Sequence, residues 1–226
     1  MPPPRGFIEA LAHDGPSLIA EVKRSSPSVG HIADADPADR ARAYADGGAA
    51  AVSVLTEGRH FGGSLEDLRA VHLATTVPVL RKDFLVEPSQ LLEARACGAD
   101  AVLLIAASLS RDALGEMLAT ADDLRLGVLL ETHSVADLEK ALETDNRVVG
   151  VNARDLETLE VDVERALGML SEVPADRIAV LESGVSQRRD VVRASASGAR
   201  AVLVGEALMR AADPGAKIRE LLEGES

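Results

Sequence analysis

Eight short runs of aliphatic and β-branched residues recur along the chain: Leu18–Val22, Ala51–Leu55, Val77–Leu80, Ala101–Ile105, Gly127–Leu130, Val148–Val151, Ile178–Leu181 and Ala201–Val204. None alternates regularly between apolar and polar. A strand wetted on one face has to alternate, because successive side chains point to opposite faces. Runs that are apolar at nearly every position are expected for parallel strands covered on both sides.

Helical patterns fill the gaps between these runs, with start and stop signals. Asp36-Pro37 opens a helix that ends at Gly47-Gly48, and Pro88 opens one that ends at Cys97-Gly98. Ser64, Ser110 and Ser134 are N-cap candidates, the last with Asp137 three residues on. Val163–Leu170, Gln187–Ser197 and Pro214–Leu222 complete the set. Three joints repeat one pattern: Gly48-Ala49-Ala50-Ala51-Val52, Gly98-Ala99-Asp100-Ala101-Val102 and Gly198-Ala199-Arg200-Ala201-Val202. Each glycine stands where a helix ends in a left-handed residue, and Asn146 takes a similar slot before Val148. Eight strands alternating with eight helices predict a (β/α)8 TIM barrel in the α/β class. A doubly wound open sheet is less consistent, because no Gly-x-Gly-x-x-Gly follows the first strand. With no linker or low-complexity stretch, residues 1–226 read as a single domain. Residues 1–17 form a short N-terminal extension in which Phe7 serves as an anchor.

Charge and composition remove several classes of function. Lys and Arg number 24 against 37 Asp and Glu, a net charge of −13, whereas a nucleic-acid partner requires a basic face. No apolar run approaches the roughly 20 residues of a membrane span, and the N-terminus lacks the apolar stretch of a secretion signal. A cytoplasmic monomer is expected. The single cysteine, Cys97, excludes an internal disulfide and suits a reducing compartment. The five histidines show no ligand spacing, so no metal is expected.

In such a barrel the chemistry gathers at the C-terminal ends of the strands. There the sequence places Glu21 and Lys23, then Lys82, Glu131, Asn152 with Arg154, Glu182 with Ser183 and Gly184, and Gly205 with Glu206. Only four lysines occur, and Lys23 and Lys82 are two of them; Lys140 and Lys217 fall on helices and are expected at the solvated surface. Burial can lower a lysine's pKa enough for it to donate a proton, which arginine effectively never does. Phe61 and Phe84 lie in polar loops at the same end and suit stacking on a ring or capping the barrel, and packing alone accounts for Phe61 equally well. The loops after the last two strands are the usual phosphate site of these barrels, with the Glu206 carboxylate turned away.

Taken in order, the segments Ile19-Ala20-Glu21-Val22-Lys23-Arg24-Ser25-Ser26-Pro27-Ser28, Ser53-Val54-Leu55-Thr56-Glu57 with Phe61-Gly62-Gly63-Ser64, Val79-Leu80-Arg81-Lys82-Asp83-Phe84, Leu130-Glu131-Thr132-His133, Gly150-Val151-Asn152-Ala153-Arg154-Asp155-Leu156, Glu182-Ser183-Gly184-Val185 and Val204-Gly205-Glu206-Ala207-Leu208-Met209-Arg210 closely resemble the indole-3-glycerol-phosphate synthase family of tryptophan biosynthesis. The resemblance implies a carboxy-lyase, without a cofactor, that acts on a small anionic phosphorylated substrate, 1-(2-carboxyphenylamino)-1-deoxyribulose 5-phosphate. Ring closure, decarboxylation and dehydration release indole-3-glycerol phosphate. It matches Lys82 to the acid of ring closure and Lys23 and Glu131 to the dehydration, their division of labour being open. Glu21 and Asn152 match orienting residues, and Arg154, Glu182 and Ser183 match pocket residues. Phe61 and Phe84 match the walls around the anthranilate ring; Ser26, Gly184, Gly205 and Glu206 match the phosphate cradle. Family members usually carry a longer N-terminal segment over the barrel mouth. A phosphate-binding barrel with weak or lost activity is therefore the competing reading. In either case an anionic ligand on an acidic protein predicts a basic spot at one end of the barrel.

Overall fold

The computed structural model describes residues 3–23, 25, 26, 30, 31, 36–155 and 158–223. Eight parallel strands, β1 (Ser17–Val22), β2 (Ala51–Leu55), β3 (Val79–Lys82), β4 (Ala101–Ile105), β5 (Gly127–Thr132), β6 (Val148–Asn152), β7 (Ile178–Glu182) and β8 (Ala201–Val204), close into a barrel in sequence order, with β8 pairing back onto β1. The helices that follow them are α1 (Pro37–Asp46), α2 (Leu65–Ala74), α3 (Pro88–Ala96), α4 (Arg111–Asp123), α5 (Val135–Leu142), α6 (Val163–Leu170), α7 (Arg188–Ala196) and α8 (Pro214–Glu223). A (β/α)8 barrel is thus the observed fold. Short helices at Phe7–Leu11, Gly58–Phe61 and Glu206–Arg210 and a small antiparallel ribbon of Ser25–Ser26 with Gly30–His31 are added to this frame.

The predicted caps are present. Asp36 accepts from Ala38 N at 2.7 Å, Ser64 from Asp67 N at 3.1 Å, Ser110 from Ala113 N at 3.2 Å, and Ser134 forms a capping box with Asp137. Gly48, Gly98 and Gly198 all take the left-handed conformation, at φ of 95°, 95° and 97°. Asn146 does not. Its side-chain amide instead donates to Val148 O at 2.8 Å and Val128 O at 3.2 Å, and Arg125, at φ 56°, makes the left-handed turn that leads into β5. Strand β3 starts two residues later than its apolar run, after Pro78, and runs on to Lys82. Strands β5, β6 and β7 likewise run on to Thr132, Asn152 and Glu182. The polar residues at the mouth are therefore members of the ladder, held by its hydrogen bonds.

Strand parity explains both the missing alternation and the position of the site. Leu18, Ala20, Val52, Val54, Val102, Leu104, Leu130, Val149 and Leu181 face outward into one core shared with the helices. Ile19, Ala51, Leu80, Leu103, Leu129, Val180 and Leu203 face inward and fill the barrel. Two residues beyond Ile19, Leu80, Leu129 and Val180 on the same inward face stand Glu21, Lys82, Glu131 and Glu182. Phe7 and Leu11 close the other end and belong to the same inner cluster. Phe7 fits because β5 begins with glycine: a Cβ on Gly127 would lie 3.0 Å from the Phe7 side chain. Arg5 fixes the segment there, donating its N–H to Asp100 Oδ1 at 2.8 Å and its guanidinium to Val77 O and His72 O, each at 2.9 Å.

Candidate active site

At the C-terminal ends of the strands lies a cavity of about 540 Å³, lined by Glu21, Lys23, Phe61, Lys82, Phe84, Glu131, Asn152, Arg154, Glu182, Ser183, Gly184, Gly205 and Glu206 among others. All the candidate residues meet there except Ser26, whose side chain lies outside the described residues.

The polar centre consists of two lysine–carboxylate groups. Lys82 Nζ lies 2.8 Å from Glu131 Oε2 and 3.5 Å from Glu182 Oε2, and Lys23 Nζ lies 2.6 Å from Glu21 Oε1. The side chains of Glu131 and Glu182 are only 2% and 1% exposed. Burial alone would push the Lys82 ammonium down, as the lysine argument anticipates. Glu131, then Glu182 and Glu21, outweigh burial and hold it above the ordinary lysine range. Glu131 is the converse case: burial would raise it, but Lys82 and then His133, whose Nε2 lies 3.0 Å from Oε1, hold it well below the carboxylate range. Glu182 goes the other way. Burial and the neighbouring Glu131 charge push it well above that range, which favours its neutral form beside an ionised partner. Two glycines make room for this arrangement. A Cβ on Gly150 would lie 2.2 Å from Glu182 Oε1, and one on Gly205 would lie 2.2 Å from Glu21 Oε1.

These directions fix signs for stability. The Lys82 contribution is present below the ordinary lysine pKa and is lost as pH rises through its raised value; that of Glu131 is present above the ordinary carboxylate pKa and is lost as pH falls through its lowered value. Glu182 opposes folding, because the unfolded chain ionises first as pH rises past about 4.3. Glu182→Gln removes that ionisation and keeps an N–H donor for Glu131. It should raise Tm at pH 7, at about 2–4 °C per kcal/mol for a chain of this size, with no gain below about pH 4. Calorimetry at both pH values checks this; an equal shift at both would assign the effect to packing.

Beyond the end of β7, Ser183 and Gly184 both have positive φ, 66° and 77°. That is an unusual backbone for serine, and such strain tends to collect at functional sites. Gly205 caps the helix Glu206–Arg210, and the Glu206 carboxylate turns to Arg210 Nε at 3.1 Å, one turn along. Phe84 is 48% exposed, and Phe61 ends the one-turn helix Gly58–Phe61, so the two rings rise beside the cavity from neighbouring loops.

The family model described as indole-3-glycerol phosphate synthase matches residues 1–221. The chain belongs to the indole-3-glycerol phosphate synthase family. Relatives of that name in Mycobacterium ulcerans (strain Agy99) and Mycobacterium leprae (strain Br4923) are each 49% identical to it over 222 residues, covering 98% of this chain and 82% of the relative. Among solved structures, 3-hexulose-6-phosphate synthase superposes at a TM-score of 0.72 with 16% identity, over 93% of this chain and 100% of that one, a likeness of fold alone.

The charge around the cavity departs from the basic spot expected from the sequence. The described lining residues include four bases, Lys23, Lys82, Arg154 and Arg210, against six acids, Glu21, Glu57, Asp83, Glu131, Glu182 and Glu206. The basic spot anticipated from the substrate's charge is absent among them, because each lysine is delivered with its own carboxylate. An anion here has main-chain N–H groups and paired cations to bind, not an excess of positive charge.

Several residues that organise the site are not among the candidates named from the sequence. Arg81, adjacent to Lys82 but on the outward face, is 4% exposed. It donates to Thr56 Oγ1 at 3.1 Å, Gln90 O and Glu93 Oε2 at 2.9 Å, and Asp83 Oδ2 at 3.2 Å, which fixes the loop that carries Phe84. Glu57 accepts from the N–H groups of Arg59, His60 and Phe61 and so sets the turn that carries Phe61. Lys140 is half-buried and gives its ammonium to Ala106 O, at 2.7 Å, and to Leu109 O, so it braces the loop after β4 and is not the solvated lysine expected. No described helix is long and apolar enough to cross a membrane.

Proposed function

We propose that the chain converts 1-(2-carboxyphenylamino)-1-deoxyribulose 5-phosphate into indole-3-glycerol phosphate, CO2 and water. The observation that carries this reading is the Lys82–Glu131–Glu182 cluster on inward strand positions, with a second lysine–carboxylate pair beside it and two aromatic rings above.

The ring carbon that bears the carboxylate attacks the ribulose carbonyl carbon. As the C–C bond forms, the carbonyl π pair moves to oxygen, and Lys82 supplies the proton that makes it a hydroxyl. CO2 then leaves, and its bonding pair restores the aromatic ring. Loss of the hydroxyl as water needs an acid, which we assign to Lys23, and loss of a proton from the adjacent CH2 needs a base, which we assign to Glu131. Overall one proton is consumed. While Lys82 is charged, Glu131 is a weak base; once Lys82 has given up its proton, the charge that depresses Glu131 is gone and its basicity rises. The acid step thus arms the base. Glu182, held protonated next to Glu131, returns a proton to Lys82. The Asn152 Oδ1 is occupied by the N–H of Arg154 at 3.0 Å, which orients the amide so that its NH2 serves the substrate hydroxyls with Glu21. Arg154, whose guanidinium donates to Leu159 O at 2.8 Å, and Ser183 line the sugar and carboxylate ends. Phe61 and Phe84 cover the anthranilate ring. The phosphate rests on the N–H groups of Ser183-Gly184 and Gly205-Glu206, with Ser26. The buried free thiol of Cys97 supports the cytoplasm as the compartment. Incubation of the folded protein with this substrate should produce indole fluorescence; a folded protein that forms no product overturns the reading.

A further inference from the structure

The tips of β5 and β6 are joined by a side chain from outside the barrel. Arg165, in the first turn of α6, donates Nη2 to Asn152 O at 2.9 Å and Nη1 to His133 O. Asn152 is the last residue of β6, and His133 follows the last residue of β5, two positions after Glu131. The ladder between these strands stops at Thr132 and Val151, so the guanidinium bridges the two strands just beyond their last pair. Arg165 is itself held, because its N–H donates to the N-cap side chain of Asp162 at 3.0 Å and Asp162 N donates to Ala153 O at 2.9 Å.

A second arginine binds two main-chain carbonyls at the other end of β6, both in the one segment that leads into the strand. Arg177 donates Nη2 to Thr144 O at 2.9 Å and Nη1 to Asn146 O, below the start of the strand. Both arginines are half-buried, and both bind two main-chain carbonyls through one planar fork, which lysine cannot reproduce. They differ in what lies nearby. Neither Thr144 nor Asn146 lines the cavity, whereas Asn152 and Glu131 both do.

We infer that Arg165 is a positioning residue, which sets the spacing of Glu131 and Asn152 for the reaction, while Arg177 serves the fold alone. The inference rests on the proposed roles of those two residues. Without the fork the two strand tips can separate, and a misplacement of about 1 Å at reacting groups costs on the order of 100-fold in rate.

The test compares kcat, KM and Tm for the wild type, Arg165→Gln, Arg165→Lys and Arg177→Gln. Arg165→Gln should lower kcat about 10- to 100-fold with KM within about threefold, because the phosphate loops after β7 and β8 are untouched. Arg165→Lys, which keeps one of the two bonds, should recover part of kcat. Arg177→Gln should lose comparable Tm yet keep kcat within about twofold. The inference is overturned if Arg165→Gln keeps wild-type kcat while losing Tm, or if Arg177→Gln loses kcat equally. Should Arg165→Gln not fold, Arg165→Lys decides: wild-type kcat in that variant overturns the inference, and a folded variant with reduced kcat supports it. An inactive wild type would instead count against the proposed synthase activity, and is seen separately in the same assay.

Discussion

Lys82→Met should abolish measurable synthase turnover while the barrel still folds. General acid catalysis by a positioned group contributes about 10²- to 10⁴-fold, and in the proposed sequence Lys82 also controls the basicity of Glu131, so the loss should fall at the upper end. The variant leaves Glu131 and Glu182 buried without their cation. Removing one partner of a buried pair costs about 3–5 kcal/mol when the other stays charged. Here part of that cost is avoided, because Glu131 is free to rise towards the ordinary carboxylate range once Lys82 is gone, and the two carboxyls can share a proton. Lys82→Arg is the more telling comparison. It keeps a cation near Glu131, which Lys82 approaches to 2.8 Å, and should preserve most of the Tm, yet an arginine does not release its proton. Steady-state kinetics and thermal melts on both variants give the answer. Substantial turnover in Lys82→Arg would show that the site needs only positive charge at this position, and the acid role would fall.

The barrel was legible because its determinants are local and repeated. Gly48, Gly98 and Gly198 each close a helix in the left-handed conformation and open a strand, and the doubly apolar strands exclude a wetted sheet. The inward residues were legible for a related reason: they directly follow apolar runs, and parity then carries them to one face. Their electrostatics could not be read that way. Whether a buried lysine is pushed down or up depends on where carboxylates from other strands end, and three strands converge on Lys82. The same convergence cancels the expected basic spot. Arg165 and Lys140 were invisible for a different reason. Their partners are main-chain carbonyls, which any residue supplies, so the pairing leaves no trace in the identity of the partner. Asn146 shows the limit of a slot argument: it had the right composition for a left-handed turn, but its amide found two carbonyls instead.

Gly205→Ala should reduce kcat about 100-fold or more, and this result separates two explanations for that glycine. Its resemblance-based role is in the phosphate cradle, where the turn must expose N–H groups. Yet Gly205 has φ −120° and ψ −69°, with φ negative, so alanine does not meet the left-handed penalty there. What alanine does meet is Glu21 Oε1 at 2.2 Å and Lys23 Nζ at 2.9 Å. Those two atoms are already paired at 2.6 Å, and Glu21 is 4% exposed, so neither can retreat without the other. The methyl group therefore displaces Lys23, to which we assign the second acid role, while the N–H groups stay in place, and kcat should fall with little change in KM. Gly184→Ala is the opposite case. At φ 77°, with Val163 Cγ2 at 2.7 Å from the added carbon, it deforms the turn itself and should raise KM. If Gly205→Ala instead raises KM and leaves kcat intact, its glycine serves only the phosphate, and the space-making argument for the Glu21–Lys23 pair is wrong.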